Sequence, residues 1–265
     1  MSLIEPFISD DKVIQFSSLG SGSKGNGTLI SIADTILLVD CGFSTKETIR
    51  RLSIKGLEPE QISAILVTHE HADHVNGVAG LANKFSLPVW LNKGTSLHKK
   101  CLNIKNKQLF NSHCSFQVGD IQVTPVTVPH DSREASQFTF QSHSSKLGLL
   151  TDVGHITNHI IEAYSDCTGL LLEFNYDHEM LIQGKYPFAL KKRVSGDLGH
   201  LSNLQAAELL SKIDLQKLQT LVAMHMSEEN NREEIVLKLL EKIEGIESVN
   251  YMLASQLEGI NWHRL

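Results

Sequence analysis

Apolar and polar positions form two successive groups of strand-length segments. The first group predicts strands at residues 13–17, 28–32, 36–40 and 62–68. The second predicts strands at 121–128, 136–140, 147–151, 169–174, 220–224 and 249–254. Residues 121–128 alternate over much of their length, as a half-buried strand does. Pro125 within them has no amide hydrogen for a ladder, so it predicts an edge position or a bulge. Helical spacing falls between and after the strands, at 45–52, 74–84, 156–163, 201–213 and 232–243. In 201–213, Leu204, Ala207, Leu210 and Ile213 recur with the helical period, and Ser202 stands where an N-cap would. In 232–243, Ile235, Leu239 and Ile243 do the same.

Each half of the chain therefore carries several strands and then helices. That order predicts an α/β fold of two sheets stacked face to face with helices outside, a four-layer αββα sandwich. A plain doubly wound sheet is the competing architecture. No linker, low-complexity run or short repeat divides the chain, so residues 1–265 are expected to form one domain. The longest apolar stretches are strand-sized, and none approaches the roughly 18 residues of a membrane span. The start, Met1-Ser2-Leu3-Ile4-Glu5, lacks the basic and apolar regions of a signal peptide. Cys41, Cys101, Cys114 and Cys167 form no C-x-x-C pair, which argues against a zinc knuckle. Scattered thiols without an export signal predict a reducing, cytoplasmic setting.

The formal charge of −6 does not announce a nucleic-acid binder. It counts 13 histidines as neutral, however. Two bound divalent cations would also offset about four negative charges where a substrate docks.

The histidines matter because of where they fall. The apolar run 62–67 and Thr68 lead straight into His69-Glu70-His71-Ala72-Asp73-His74, and a helical pattern follows. Potential ligands thus sit at the carboxyl end of a strand, where α/β proteins place their sites. The spacing of His69 and His71 lets two imidazoles converge on one ion, and Asp73 and His74 can face a second. Imidazole with carboxylate suits zinc, manganese or iron. A set of solvated turn residues is the bland alternative, but three histidines and an aspartate in six positions make it improbable. His130, Asp152 and His225 are each the first ligand-type residue after an apolar run. Any one alone would more often be structural; together with the cluster they read as further ligands.

At this point the chain resembles the metallo-β-lactamase superfamily, whose pattern is H-x-H-x-D-H followed by a His, an Asp and a His at strand ends. The resemblance implies that His69, His71 and His130 hold one metal and Asp73, His74 and His225 the other. It implies that Asp152 bridges them and that a metal-bound water or hydroxide is the nucleophile.

Fold and metal site alone name no substrate. Three more segments narrow the resemblance: the run from Ser18 to Gly27, Leu172-Glu173-Phe174-Asn175-Tyr176-Asp177 with the basic Leu190-Lys191-Lys192-Arg193, and Gly199-His200-Leu201-Ser202-Asn203 with the later run from His225 to Asn231. Together they are similar to the YycJ/WalJ group of bacterial proteins. That resemblance implies 5′-to-3′ exonuclease action on DNA, with DNA favoured over RNA. Phe174 departs from it, standing where a small residue is expected.

Phosphodiester hydrolysis also needs help for the leaving alkoxide, and His200 is a candidate general acid beside Asp73. Orienting a ligand or capping a helix is the alternative for His200. Ser21, Ser23, Lys24 and Asn26 are candidates for a terminal phosphate, Lys191, Lys192 and Arg193 for backbone phosphates, and Asn175 for the substrate more generally. A flexible hairpin and a solvated charged face are the alternatives. Rival functions are a small-molecule cyclic phosphodiesterase, a thioester, lactone or β-lactam hydrolase, a diiron oxygen reductase, and a metal-bound scaffold.

Overall fold

The computed structural model describes residues 13–265. Among the described residues, fourteen strands form two seven-stranded sheets. In the first half, β1 (Gln15–Gly20), β2 (Gly27–Ile32) and β3 (Thr35–Val39) make an antiparallel meander. Beside β3, β4 (Ala64–Leu66), β5 (Val89–Leu91) and β6 (Lys107–Leu109) continue the sheet in parallel. The second half repeats this plan. β7 (Phe116–Val118), β8 (Ile121–Thr127), β9 (Ser136–Gln141) and β10 (Lys146–Leu150) are antiparallel. β11 (Gly169–Glu173), β12 (Thr220–Met224) and β13 (Asn250–Leu253) extend it in parallel. The last strand, β14 (Ile260–Arg264), crosses back to pair with β1. Arg51 and Lys55 hold that crossing by donating to the carbonyls of Leu257 and Ile260.

Alternate positions on single strands separate the layers. Phe16, Leu37, Val39 and Leu66 point inward and share one core with Val123, Phe138, Phe140, Leu171 and Val222 of the other sheet. Leu29, Leu38 and Ile65 point outward, against Leu52 of α1 (Thr45–Ile54) and Leu81 of α3 (Val78–Phe85), which follows the short α2 (Ala72–Val75). The short α4 (Lys93–Ser96) follows β5. Leu170, Leu172 and Leu221 point outward in the second sheet, against Tyr164 of α5 (Asn158–Tyr164). After β11 come α6 (His178–Gln183) and α7 (Phe188–Val194), then α8 (Asn203–Leu210) and α9 (Glu233–Leu240). Leu209 of α8 and Val236 of α9 complete the outer layer. Each wholly buried Leu or Phe contributes about 1.5–3 kcal/mol, so three apolar layers carry the fold. The expected four-layer sandwich is the one observed.

Several expectations sharpen. β7 pairs only with Ile121–Val123 of β8, which leaves Pro125 bonded to β9 alone, at an edge as its chemistry requires. Ser202 caps α8, accepting from the amide of Gln205, and the reciprocal bond from Gln205 makes a capping box. The helix expected at 74–84 is two helices, α2 and α3, broken at Gly77. A Cβ on Gly77 would lie 2.1 Å from the Phe43 carbonyl oxygen, and the Gly77 amide donates to the Cys41 carbonyl at 2.8 Å. The chain end of β3 thus occupies the space a continuous helix would need. Among the described residues, no helix is long and apolar enough to cross a membrane.

Gly77→Ala forces a methyl group into the backbone of Phe43. It should destabilise the protein by about 1–3 kcal/mol or more, read as a lower urea midpoint at unchanged m-value.

Candidate metal centre

Strands of both sheets end at one seam, and each end delivers a polar side chain. Asp40 follows β3, Thr68 and His69 follow β4, and His71 leads into α2, which carries Asp73 and His74. From the other half, His130 follows β8, Asp152 follows β10, Glu173 ends β11 and His225 follows β12. Asp40, Asp152 and His225 turn the chain in the left-handed region, with φ of 62°, 56° and 52°. Non-glycine residues rarely adopt it, and such strain is kept where surroundings fix a functional side chain. Gly42 lets three segments lace together beside them. Its amide donates to Asn26 O at 2.9 Å and the Asn26 amide to Asp73 O at 2.8 Å, while a Cβ on Gly42 would lie 1.7 Å from that same Asp73 oxygen.

The candidate ligands converge. Donor atoms of His69, His71 and His130 lie within 4.8 Å of one another, and so do those of Asp73, His74 and His225. Asp152 falls in a group with His69 and His74, and in another with Glu173, His200 and His225. It therefore touches both halves of the cluster: Asp152 Oδ2 is 3.2 Å from His74 Nε2, and Oδ1 is 4.0 Å from His130 Nε2.

Hydrogen bonds behind the rings decide which nitrogen faces the seam. Asp40 Oδ2 accepts from Thr68 Oγ1 at 2.8 Å, which leaves that hydroxyl oxygen to accept from His69 Nδ1 at 2.9 Å. His74 Nδ1 donates to the same Asp40 oxygen at 2.7 Å. His130 Nδ1 donates to Gly199 O at 3.0 Å, and His225 Nδ1 to Glu173 Oε1 at 2.9 Å. Each of these four rings therefore turns Nε2 inward, the arrangement that metal-binding imidazoles use to fix tautomer and orientation. His71 is turned the other way, with Nδ1 3.2 Å from His130 Nε2 and Nε2 3.2 Å from Asp131 O.

His69 Nε2, His225 Nε2 and Asp152 Oδ2 are buried and make no well-aligned hydrogen bond, Asp152 Oδ2 having its 3.2 Å ion-pair contact with His74 Nε2. Buried polar atoms are normally partnered. A divalent cation at the seam would partner all three, and nitrogen with carboxylate donors fits zinc, manganese or iron. The electrostatics agree. Burial disfavours the charged form of every group here, yet the charges of His225 and His74 hold the Asp152 carboxyl well below the usual range, and the His74 charge does so for Asp73. Burial likewise opposes a charged Glu173, but His200 and His225 bring it down to about 2. The carboxylates in turn hold His74 positive and push His225 up to about 10, against their burial. Positive charge at the inward nitrogens of His74 and His225 is what the carboxylates demand, while burial holds His69 and His130 toward the neutral form, and a cation would supply that charge in place of those protons.

His200 stands at the rim. Its Nδ1 is 2.9 Å from Glu173 Oε1, the oxygen that also receives His225. Glu173 Oε2 accepts the amides of Leu201 at 2.9 Å and Val153 at 3.2 Å. One enclosed carboxylate thus places a ligand-type ring and a candidate acid together. Neither Asp40 nor Glu173 was singled out by sequence pattern, although each is an acidic residue closing an apolar strand, the feature that marked Asp152.

The candidate substrate residues divide. Asn26 Nδ2 lies 3.1 Å from His74 Nε2 and 3.4 Å from Asp73 Oδ2, and Ser21 Oγ accepts the His225 amide at 2.7 Å. Asn175 Nδ2 donates to the His225 carbonyl at 2.9 Å. These three stand behind or among the ligand-type residues. Ser23 and Lys24 are exposed, with Lys24 paired to Glu228 at 2.6 Å. Lys191 Nζ donates to Ile182 O, and Arg193 grips Asp131 with two bonds of 2.6 and 3.1 Å. Phe174 buries its ring in the outer apolar layer and leaves Asn175 undisturbed.

A family model described as a beta-lactamase superfamily domain matches residues 35–226. The exodeoxyribonuclease YycJ of Bacillus anthracis is 34% identical over 84% of this chain and 86% of its own length. The chain belongs to the metallo-β-lactamase superfamily, in its YycJ/WalJ group. The exodeoxyribonuclease WalJ of Streptococcus pneumoniae is 33% identical over 83% of this chain and 84% of its own. Among solved structures, the metallo-β-lactamase fold protein YhfI of Bacillus subtilis superposes with a TM-score of 0.73 at 15% identity, covering 96% of this chain and 100% of that one, a likeness of fold. A superfamily member with this donor set binds divalent metal.

Glu173→Gln keeps the shape but removes the charge that orients His225. It should weaken metal affinity about 10- to 100-fold, as competition with a chromogenic chelator would read, with the urea midpoint as control.

Proposed function

We propose that this protein is a dinuclear metal-dependent phosphodiester hydrolase that works as a 5′-to-3′ exonuclease on DNA, in the cytoplasm, with the whole chain acting as one domain. The observation that carries this reading is the pair of three-donor groups joined by Asp152, with His200 held at their rim by Glu173. His69, His71 and His130 would hold one ion, Asp73, His74 and His225 the other, and Asp152 both. When bound, zinc, manganese or iron there supplies an activated water and neutralises charge on the phosphoryl oxygens. The names of the YycJ and WalJ relatives support DNA as substrate. All four cysteines are free, which suits a reducing compartment.

The chain's own residues then have distinct tasks. Asp73 and Asp152 set the negative charge that retains cations between the sheets. Asp40 and Glu173 fix ring orientation, so the donors are placed before substrate arrives. His200 commits Nδ1 to Glu173 and keeps Nε2 for the proton that the leaving alkoxide takes. Lys24 would meet a terminal phosphate in exchange for its present partner Glu228.

Manganese-loaded protein should release nucleotides from the 5′ end of labelled single- or double-stranded DNA. A chelator should stop it, and so should the double change Asp73→Ala with His74→Ala. Absence of DNA cleavage with bis(p-nitrophenyl) phosphate still hydrolysed would instead indicate a small phosphodiester substrate. His200→Gln should lower kcat on DNA by about 100- to 10,000-fold. Hydrolysis of bis(p-nitrophenyl) phosphate, whose leaving group needs no proton, should stay near wild type. An equal loss on both substrates would remove His200 from the acid role.

A further inference from the structure

Helix α7 is out of keeping with the rest of the fold. None of its residues is buried and only Leu190, Lys191 and Val194 are half-buried, so it draws little from a core, although short helices in water owe most of their stability to packing. Polar ties hold it instead. Arg193 grips Asp131, the neighbour of His130, and Lys191 donates to the Ile182 carbonyl of α6. Beyond the helix, Asp131 N donates to Leu198 O at 3.0 Å and His200 N to Val194 O at 2.9 Å. The helix is thus fixed against the metal centre while its outer face stays open.

That face carries a specific chemistry. Phe188 is 81% exposed, the most exposed of the large apolar side chains among the described residues. Lys192 lies four positions on and so shares its face. From residue 180 to 196 the chain holds Lys185, Lys191, Lys192 and Arg193 and no acidic residue, within a protein of net charge −6. An aromatic ring open to solvent, flanked by ammonium groups, is the pairing that single-stranded nucleic acids meet: ring on base, cation on phosphate. A second copy of the chain is a poor occupant, because a two-fold axis would set these cations against their own kind. Phe188 stands about 7.5 Å along the helix axis from Arg193, which grips Asp131 beside His130, so the exposed ring lies within a short reach of the site.

We propose that α7 is a stacking platform for an unpaired stretch of the DNA strand being degraded, with Phe188 against a base and Lys192 and Lys185 against phosphates. This rests on the exonuclease reading and deepens it. The enzyme then takes its strand single, either from single-stranded DNA or from a frayed duplex end.

The test compares wild type, Phe188→Ala, Phe188→Trp and Lys192→Ala. Binding is read by anisotropy with a labelled phosphorothioate oligothymidylate and with an abasic strand of equal length. Phe188→Ala should weaken binding of the oligothymidylate roughly 5- to 100-fold, the range of one lost base stack, and barely alter the abasic strand. Phe188→Trp should restore it. Lys192→Ala should weaken both strands alike and flatten the salt dependence. With DNA as substrate the Phe188→Ala loss should fall on KM, while bis(p-nitrophenyl) phosphate turnover is unchanged. If Phe188→Ala binds both strands as wild type does while DNA is still degraded, the platform is refuted and the exonuclease reading stands. If wild type binds with the expected base dependence but cleaves no DNA, the exonuclease reading fails and the platform survives. Failure of wild type to bind either strand overturns the platform, as does a dimer in sedimentation that Phe188→Ala dissolves.

Discussion

Four carboxylates, Asp40, Asp73, Asp152 and Glu173, gather where the two sheets meet, and three of them are almost fully enclosed. Unpaired carboxylates in such a place would cost many kcal/mol or surrender their charge. Among the described residues, the ion pairs these groups make are to histidines. Each carboxylate therefore needs imidazole hydrogen bonds behind it and positive charge in front of it. The first need explains the ring orientations, since Asp40 and Glu173 receive the Nδ1 protons of His74 and His225. The second makes the same residues a fitting site for a divalent cation. Charge balance rather than shape makes this seam a candidate metal centre.

The two halves contribute to that balance in parallel. Each supplies an acidic residue in the left-handed region at the end of the strand that joins its meander to its parallel strands, Asp40 after β3 and Asp152 after β10. Each then supplies support from the next strand, Thr68 after β4 and Glu173 at the end of β11. Bonds across the seam lock the halves: the His225 amide to Ser21 Oγ, the Ser136 amide to the Thr68 carbonyl, and the Arg133 amide to Glu70 Oε1. A shift of either sheet would move donors that both halves must present to the same ion.

How much of this was legible in the sequence follows from range. His69, His71, Asp73 and His74 lie within one turn of chain, so spacing alone reveals them. His130, Asp152 and His225 are legible because an apolar run ending in a ligand-type residue reports a strand end. Asp40 and Glu173 satisfy the same rule, and went unread because pattern cannot tell a ligand from the group that orients it. Ser21, Asn26 and Asn175 look like substrate contacts by composition. Which way an amide or hydroxyl faces depends on β12 and α2, which are far away in sequence. Gly77 shows another limit: Val75, Val78 and Leu81 keep a helical period across the break, because the obstacle is the Phe43 carbonyl. β5, β6 and β7, three residues each, are too short to carry a period at all.

The segment between β11 and α8 shows how one stretch of chain can join recognition to chemistry. It begins at Glu173, which orients His225 and His200, and ends at His200 itself. Between them it makes the excursion of α6 and α7, with cations outward and Arg193 bonded to the neighbour of His130. Anything that displaces α7 pulls on Asp131 and on the Gly199 carbonyl that receives His130. On the proposed function, a chain of net charge −6 meets a polyanion because its negative charge at the centre is matched by imidazoles and would be matched by bound cations, while this segment carries positive charge outward. The proposed steering and the placement of His200 therefore belong to the same tethered loop.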